Sequence, residues 1–421
     1  MVRLQIEDSP ERAAFREEFR GWLRETLPPG WMDAVDAGDD DAYATARANA
    51  ERDGWNPFTW MTTIGASGYA APLWPKEYGG LSGEPWMQGI VREELGRYRL
   101  PTVAPNILGT GLAGPTIIAH GNEEQKERFL KKILTGEQIW CQLFSEPGSG
   151  SDLASLGTRA VRDGDEYVVN GQKVWTSVAQ LSQRGMLLAR TDPAKPKHEG
   201  LSYFLLDMKT PGVEVRPLRQ LTGSAEFNEV YLTDVRIPAA DLLGTEGEGW
   251  RYARTTLMNE RMTLAGVSLD AVAFTGGTRR DAWTTFVESI PDRTDPVVRQ
   301  AIAQFYIEQQ VKELTAFRAA AKRAMGEEPG PEFSGSKIVN ASFNQRRSSF
   351  LVDVTGPGGV AWEQGDSAAE SRAHAFLRAR ANSIEGGTSE ILRNQVAERA
   401  LGLPREPEID KGVAWKDLSR S

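Results

Sequence analysis

Trp140-Cys141-Gln142-Leu143-Phe144-Ser145-Glu146-Pro147-Gly148-Ser149-Gly150-Ser151-Asp152-Leu153 is the stretch at which the chain changes its period. Trp140, Gln142 and Phe144 alternate with Cys141 and Leu143, the two-residue repeat of a strand. Glycine and serine then break the repeat. Short β-rich runs follow at Leu156–Arg162, Glu166–Val169, Lys173–Ser177, Gly185–Arg190, Ser202–Met208 and Glu226–Leu232, with Asp163-Gly164 and Asn170-Gly171 as turn pairs between them. Residues 136–242 are therefore expected to form a compact, largely antiparallel β domain.

On either side the period is helical. Ser9-Pro10-Glu11 has the order of an N-cap, a first-turn proline and a first-turn acid, and Phe15, Phe19, Trp22 and Leu23 repeat behind it. Glu84–Arg97, with Pro85 in its first turn, and Asn122–Leu134, capped by Asn122, make residues 1–135 a mostly helical domain. Beyond Gly247, Asp295-Pro296 starts a long helix through Ile302, Phe305, Val311 and Leu314. Gly326 to Pro331 breaks it, and a further helix carries Ile338, Phe343 and Leu351. Residues 243–421 read as a helical bundle.

Composition limits the function. With 421 residues and 40% apolar content the chain is long enough for two or three domains. Forty-nine basic against 58 acidic residues leave a net charge of −9, which repels a phosphate backbone, so no nucleic-acid partner is expected. Apolar runs such as Met186 to Ala189 fall far short of the roughly 20 residues of a membrane span. The N-terminal stretch has neither an h-region nor a transit composition. A single cysteine, Cys141, excludes an intrachain disulfide and points to a reducing compartment, the cytoplasm. His120, His198 and His374 lie far apart, without partners at ligand spacing, so no metal site is expected.

Glu146-Pro147-Gly148-Ser149-Gly150-Ser151-Asp152-Leu153, Asn170-Gly171-Gln172-Lys173-Val174-Trp175-Thr176-Ser177 and Gly386-Gly387-Thr388-Ser389-Glu390-Ile391 resemble, in order and spacing, the signatures of the acyl-CoA dehydrogenase family. Trp74-Pro75-Lys76-Glu77-Tyr78-Gly79-Gly80, Gly121–Lys126, Phe227–Val230 and Asp234–Pro238 support it, over residues 74–405. The resemblance implies an α+β, mainly α, fold: a helical N-terminal domain, a central antiparallel β domain and a C-terminal four-helix bundle. It implies bound FAD, α,β-dehydrogenation of an acyl-CoA to the trans-2-enoyl-CoA in fatty-acid β-oxidation, electron transfer to an electron-transferring flavoprotein, and a homodimer or homotetramer.

Residue by residue, the resemblance places Gln142, Phe144 and Ser145 at the flavin ring edge, Trp175 and Ser177 beside the ring, and Gly150 and Ser151 near the pyrophosphate. Gly387, Thr388 and Glu390 fall on the phosphate and ribose side, at a helix expected to run to Leu401 with Gly402 as its C-cap. Without the family register, Trp175 reads as a core aromatic, Gly148–Ser151 as a turn, and the two glycines as a plain helix opening.

The reaction needs a carboxylate to take the α proton. Many members carry it immediately before Gly-Thr-Ser, where this chain has Gly386. A smaller branch carries it early in the C-terminal domain, and Leu257-Met258-Asn259-Glu260-Arg261 resembles that stretch, so Glu260 is the expected base. Glu385 is the competing carboxylate, and a solvated Glu260-Arg261 charge pair is the plain structural alternative. Gly386 is expected to offer its backbone N–H to the thioester carbonyl, and its missing side chain leaves room for a branched or ring-bearing acyl group. Asp353–Gly359 departs from the family's usual glycine-rich segment, and the Arg-x-x-Phe-Gly stretch expected after Gly266 is missing. A hetero-oligomer with a related subunit, or a flavin oxidase or monooxygenase on the same fold, are the alternatives.

Overall fold

Ser9 accepts the Arg12 N–H and Pro10 opens the first helix, α1 (Pro10–Thr26), in a computed structural model that describes residues 8–101, 106–264, 282–324, 330, 335–407 and 410–418. There follow α2 (Trp31–Ala37), α3 (Asp40–Arg52), α4 (Pro57–Ser67), α5 (Pro85–Arg97), α6 (Gly114–His120) and α7 (Glu123–Leu134), the last headed by a reciprocal capping box between Asn122 and Gln125. Their core is aromatic, with Phe19, Trp31, Trp60, Tyr69 and Tyr98 inside. Arg16 and Arg20 both reach the buried Glu94 at 2.7 Å and tie α1 to α5. Pro115 has no N–H to donate, and the turn ahead of it, Gly109–Ala113, runs as π-helix.

β1 (Trp140–Leu143), β2 (Arg159–Asp163), β3 (Glu166–Ser177), β4 (Arg184–Arg190), β5 (Leu201–Asp207), β6 (Val213–Leu218) and β7 (Phe227–Pro238) form one sheet in the order β1-β4-β2-β3-β7-β6, with β5 also on β4. Pairing is antiparallel except for β1 with β4 and a single residue pair of β2 with β4. The alternation along β1 sorts its side chains between two cores. Trp140, with Phe144 just beyond the strand, packs with Phe129, Met186 and Tyr203 under the N-terminal helices, while Cys141 and Leu143 face Tyr167, Phe204 and Val230 inside the β domain. Burial pushes the Cys141 thiol up to about 12, so it stays protonated.

One expected turn is corrected. Asp163-Gly164 does connect β2 to β3, with Gly164 at φ +63, but Asn170-Gly171 lies within β3. Pairing with β7 slips there between Val169 and Gly171, making a bulge. The Asn170 side-chain amide donates to the Asp234 carboxylate and accepts the Asp234 backbone N–H, and a Cβ on Gly171 would stand 2.4 Å from the Thr158 hydroxyl oxygen. A local two-residue signal is overridden by cross-strand contacts.

The chain continues through α8 (Gly249–Leu264), α9 (Ala282–Glu288), α10 (Pro296–Ala324), α11 (Gly335–Val354), α12 (Ser367–Ala379) and α13 (Ser389–Arg399). α11 packs on α10, α12 and α13, with Phe286, Phe305 and Phe343 enclosed, giving the C-terminal bundle. α8 instead packs on α6, the π turn and β5. The Thr256 hydroxyl meets those of Thr116 at 2.9 Å and Tyr203 at 3.1 Å, a buried polar junction among α8, α6 and β5. α13 ends two residues short of the expected Leu401, because the N–H groups of Leu401 and Leu403 turn back to Val396 and Ala397 around Gly402 at φ +69. The stretch after Gly266 and most of the expected break from Gly326 to Pro331 lie outside the described residues. Among the described residues no helix is long and apolar enough to cross a membrane, and no group of His, Cys, Asp and Glu is placed to hold a metal ion.

Candidate active site

Gln142 shares its strand face with Trp140 and, unlike that side chain, stays half-buried. Its amide donates to Glu260 Oε2 at 3.2 Å, across 118 residues of chain. Glu260 sits one turn beyond Thr256 on α8, so the junction that pins α8 also sets the height of this carboxylate. The side chain of Arg261 lies outside the described residues. Glu260 is half-buried and bonded across to β1.

β1 leads into Ser145, whose carbonyl accepts the Val174 N–H at 2.9 Å, bringing the strand end beside Trp175. Phe144 is buried edge-on against Tyr203 at 5.8 Å and its carbonyl is taken by Lys173. Trp175 is 59% exposed, stands edge-on to Phe227, and has φ +60, where pairing of β3 with β7 slips again between Lys173 and Thr176. A bulky residue in the left-handed region is costly, and strain of this kind concentrates at ligand sites. Ser177 is half-buried at the end of β3, and next to it the buried Thr176 hydroxyl has no hydrogen-bond partner among the described residues.

Glu146 and Ser149 exchange both backbone hydrogen bonds at 3.0 Å, closing a tight turn that leaves Gly150 and Ser151 exposed. A Cβ at Gly148 or Gly150 would touch nothing within 4 Å, so the chain's own packing does not require glycine there. What glycine leaves open is approach to the backbone N–H groups. An exposed, strained indole and a bare backbone turn fit the ring and pyrophosphate of FAD.

A second group lies at the head of α13. Gly386 and Gly387 have φ +62 and +91, and a Cβ on Gly386 would meet nothing within 4 Å. Thr388 caps α13 by accepting the Ile391 N–H at 3.2 Å, Lys337 donates to the Gly387 carbonyl at 2.6 Å, and Glu390 is exposed beside Arg393. Glu385 is held by Arg378, only 4% exposed, at 2.7 Å and by Asn382 at 2.7 Å. Its carboxylate is engaged in a structural ion pair.

Two residues went unmarked as functional despite lying in the quoted motifs. Lys173, wholly buried, donates to the Phe144 carbonyl at 3.0 Å and to Glu146 at 2.8 Å, and Glu146 also accepts the Gly157 and Thr158 N–H groups at 2.7 and 2.9 Å. Burial works against the Glu146 carboxylate, but the Lys173 ammonium and these donors together hold it below the usual value. The pair joins β3 to both ends of the Gly148–Ser151 turn. Lysine and glutamate 27 positions apart in a β domain were the available signal, and their pairing was tertiary.

Residues 9–137, 141–235 and 247–401 match the family profiles described as acyl-CoA dehydrogenase N-terminal, middle and C-terminal domains. The chain is 37% identical over 400 residues to the acyl-CoA dehydrogenase IpdE1 of Mycobacterium tuberculosis, covering 93% of this chain and 98% of that one. It is 40% identical over 347 residues to FadE34 of the same organism, spanning 82% of this chain but only 46% of that longer protein. Among solved structures it is similar to the Tcur3481-Tcur3483 steroid ACAD, at TM-score 0.73 and 28% identity over 96% of this chain and 100% of that one. The ChsE4-ChsE5 complex from M. tuberculosis gives TM-score 0.69 at 26% identity, with the same coverage.

Proposed function

This chain belongs to the acyl-CoA dehydrogenase family and is an FAD-dependent oxidoreductase acting on acyl-CoA thioesters, and from that premise we propose that Glu260 is its catalytic base. The observation that carries the assignment is the Gln142–Glu260 hydrogen bond, which puts a carboxylate beside the strand end that leads to Ser145 and Trp175. Bound FAD supplies the acceptor for the β hydride. Glu260 takes the α proton, and the electron pair left at the α carbon forms the new double bond as the hydride leaves, giving the trans-2-enoyl thioester. Gln142 donates to the carboxylate and so orients it at the end of β1. The Gly386 N–H polarises the thioester carbonyl, where negative charge develops. Gln142, Phe144, Ser145 and Ser177 line the ring edge, Trp175 flanks the ring, the Gly150–Ser151 turn faces the pyrophosphate, and Gly387, Thr388 and Glu390 contact the phosphate and ribose side.

The substrate we propose is a branched or ring-bearing acyl-CoA. The open space at Gly386 supports it, and so does the likeness to a steroid ACAD. The electrons pass to an electron-transferring flavoprotein, as the family resemblance implies, and the single buried cysteine accords with a cytoplasmic setting. The departure at Asp353–Gly359, together with the solved relative described as a ChsE4-ChsE5 complex, favours assembly with a related subunit over a homo-oligomer. The test is a visible spectrum of the purified protein and anaerobic titration with straight, branched and ring-bearing acyl-CoAs. A yellow protein bleached best by a bulky thioester is expected. Turnover of butyryl-CoA with none of any branched or cyclic thioester sinks the substrate assignment, and a flavin that no thioester bleaches sinks autonomous catalysis.

A further inference from the structure

We propose that residues 410–418 form a clasp that sets how tightly the cofactor is held, with Trp415 as a positioning residue acting through the 146–157 loop. The inference rests on the FAD reading of that loop given above. Three successive backbone carbonyls on the loop are captured from outside it: Arg190 donates to Ala154 at 2.5 Å and to Leu156 at 3.1 Å, and the Trp415 indole N–H donates to Ser155 at 3.1 Å. The Arg190 guanidinium is 2% exposed, and the Trp415 ring lies over it at 4.4 Å. Two side chains thus grip one loop flank as a unit, and one of them comes from the end of the chain.

The segment bearing Trp415 is itself tied down. Ala414 bridges to Pro196, and the N–H groups of Trp415 and Lys416 donate to the carbonyls of Lys195 and Pro193 at 2.9 and 3.0 Å. Lys197 completes the clasp by pairing with Asp410 at 2.7 Å and with Asp152, on the loop, at 3.2 Å. Within the loop, Ser149 donates to the Asp152 carbonyl at 2.5 Å, and Glu146 fixes the opposite end through Gly157 and Thr158. The bare glycine turn is therefore clamped at both flanks. Glycine makes the backbone accessible and also gives it freedom that cofactor binding would have to remove. Clamping the flanks removes that freedom in advance, which is the physical content of preorganisation.

The experiment measures FAD release from the holoenzyme by recovery of flavin fluorescence, in wild type, Trp415→Ala, Trp415→Phe and Asp410→Asn. Trp415→Ala should raise the FAD dissociation constant about tenfold, on the order of 1.4 kcal/mol, and speed cleavage within 146–157 by added protease. Trp415→Phe keeps the stacking on Arg190 and should fall between, as should Asp410→Asn. Thermal unfolding of the apo forms is read in parallel, and an unchanged midpoint assigns the release to the loop and not to a general loss of fold. Release from Trp415→Ala at the wild-type rate overturns the clasp. So does a lowered apo midpoint with cleavage inside the loop no faster than elsewhere. A wild-type chain that binds no flavin overturns the FAD reading instead, so the two failures are distinguishable.

Discussion

Glu260→Gln should lower the rate of flavin reduction by a bound acyl-CoA by about a thousandfold while leaving the flavin spectrum and the thermal midpoint close to wild type. The substitution keeps the shape of the side chain and an oxygen to accept the Gln142 amide, so the contact between β1 and α8 survives. It removes only the lone pair that accepts a proton, and general-base catalysis typically contributes about 10²–10⁴ in rate. Stopped-flow absorbance under nitrogen separates this step from steady-state turnover. Glu385→Gln provides the contrast. Glu385 holds the buried Arg378, so its loss leaves a guanidinium short of its counter-charge and should show first as a lowered midpoint. A full-speed Glu260→Gln beside a folded, inactive Glu385→Gln would transfer the base to Glu385.

Lys173→Met should destabilise the fold by about 3–5 kcal/mol at neutral pH, because it leaves Glu146 charged and buried without its partner. It also frees the Phe144 carbonyl and loosens the turn ahead of Gly150, so purified protein should carry markedly less flavin. The pH dependence identifies the cause. In wild type the Glu146 carboxyl is held below its ordinary value of about 4, so its stabilisation is fully present above that value and is lost as the pH falls through the lower folded-state value. In the variant the Gly157 and Thr158 N–H groups remain but the ammonium is gone, so burial weighs more heavily, the carboxyl rises from its wild-type position, and acid costs the variant less than it costs wild type. Urea midpoints at pH 7 and pH 4 should therefore converge. A gap between the two proteins that does not change with pH would show that Lys173 acts by packing and not by charge.

Much of this was legible along the chain, for reasons that lie in neighbouring residues. The change of period at Trp140 marked the β domain, since alternation is a property of consecutive side chains. Ser9-Pro10, Asn122 with Gln125 and Asp295-Pro296 marked helix starts because a cap is closed by residues two or three positions away. The Gly148–Ser151 and Gly386–Thr388 segments could be singled out because glycine states locally what the backbone must do. Asn170-Gly171 shows the limit of such local reading: a turn signal became a bulge once Thr158 and Asp234 were its neighbours.

Only the tertiary structure decided the rest. It set Glu260 against Gln142, engaged Glu385 with Arg378, exposed the Trp175 ring and buried Lys173 against Glu146. Each depends on groups far apart in sequence meeting at one distance, and a carboxylate's role follows from what it meets. Sequence by itself determined the architecture and the family; what each carboxylate meets, Gln142 for Glu260 and Arg378 for Glu385, is a matter of contacts that no local pattern encodes.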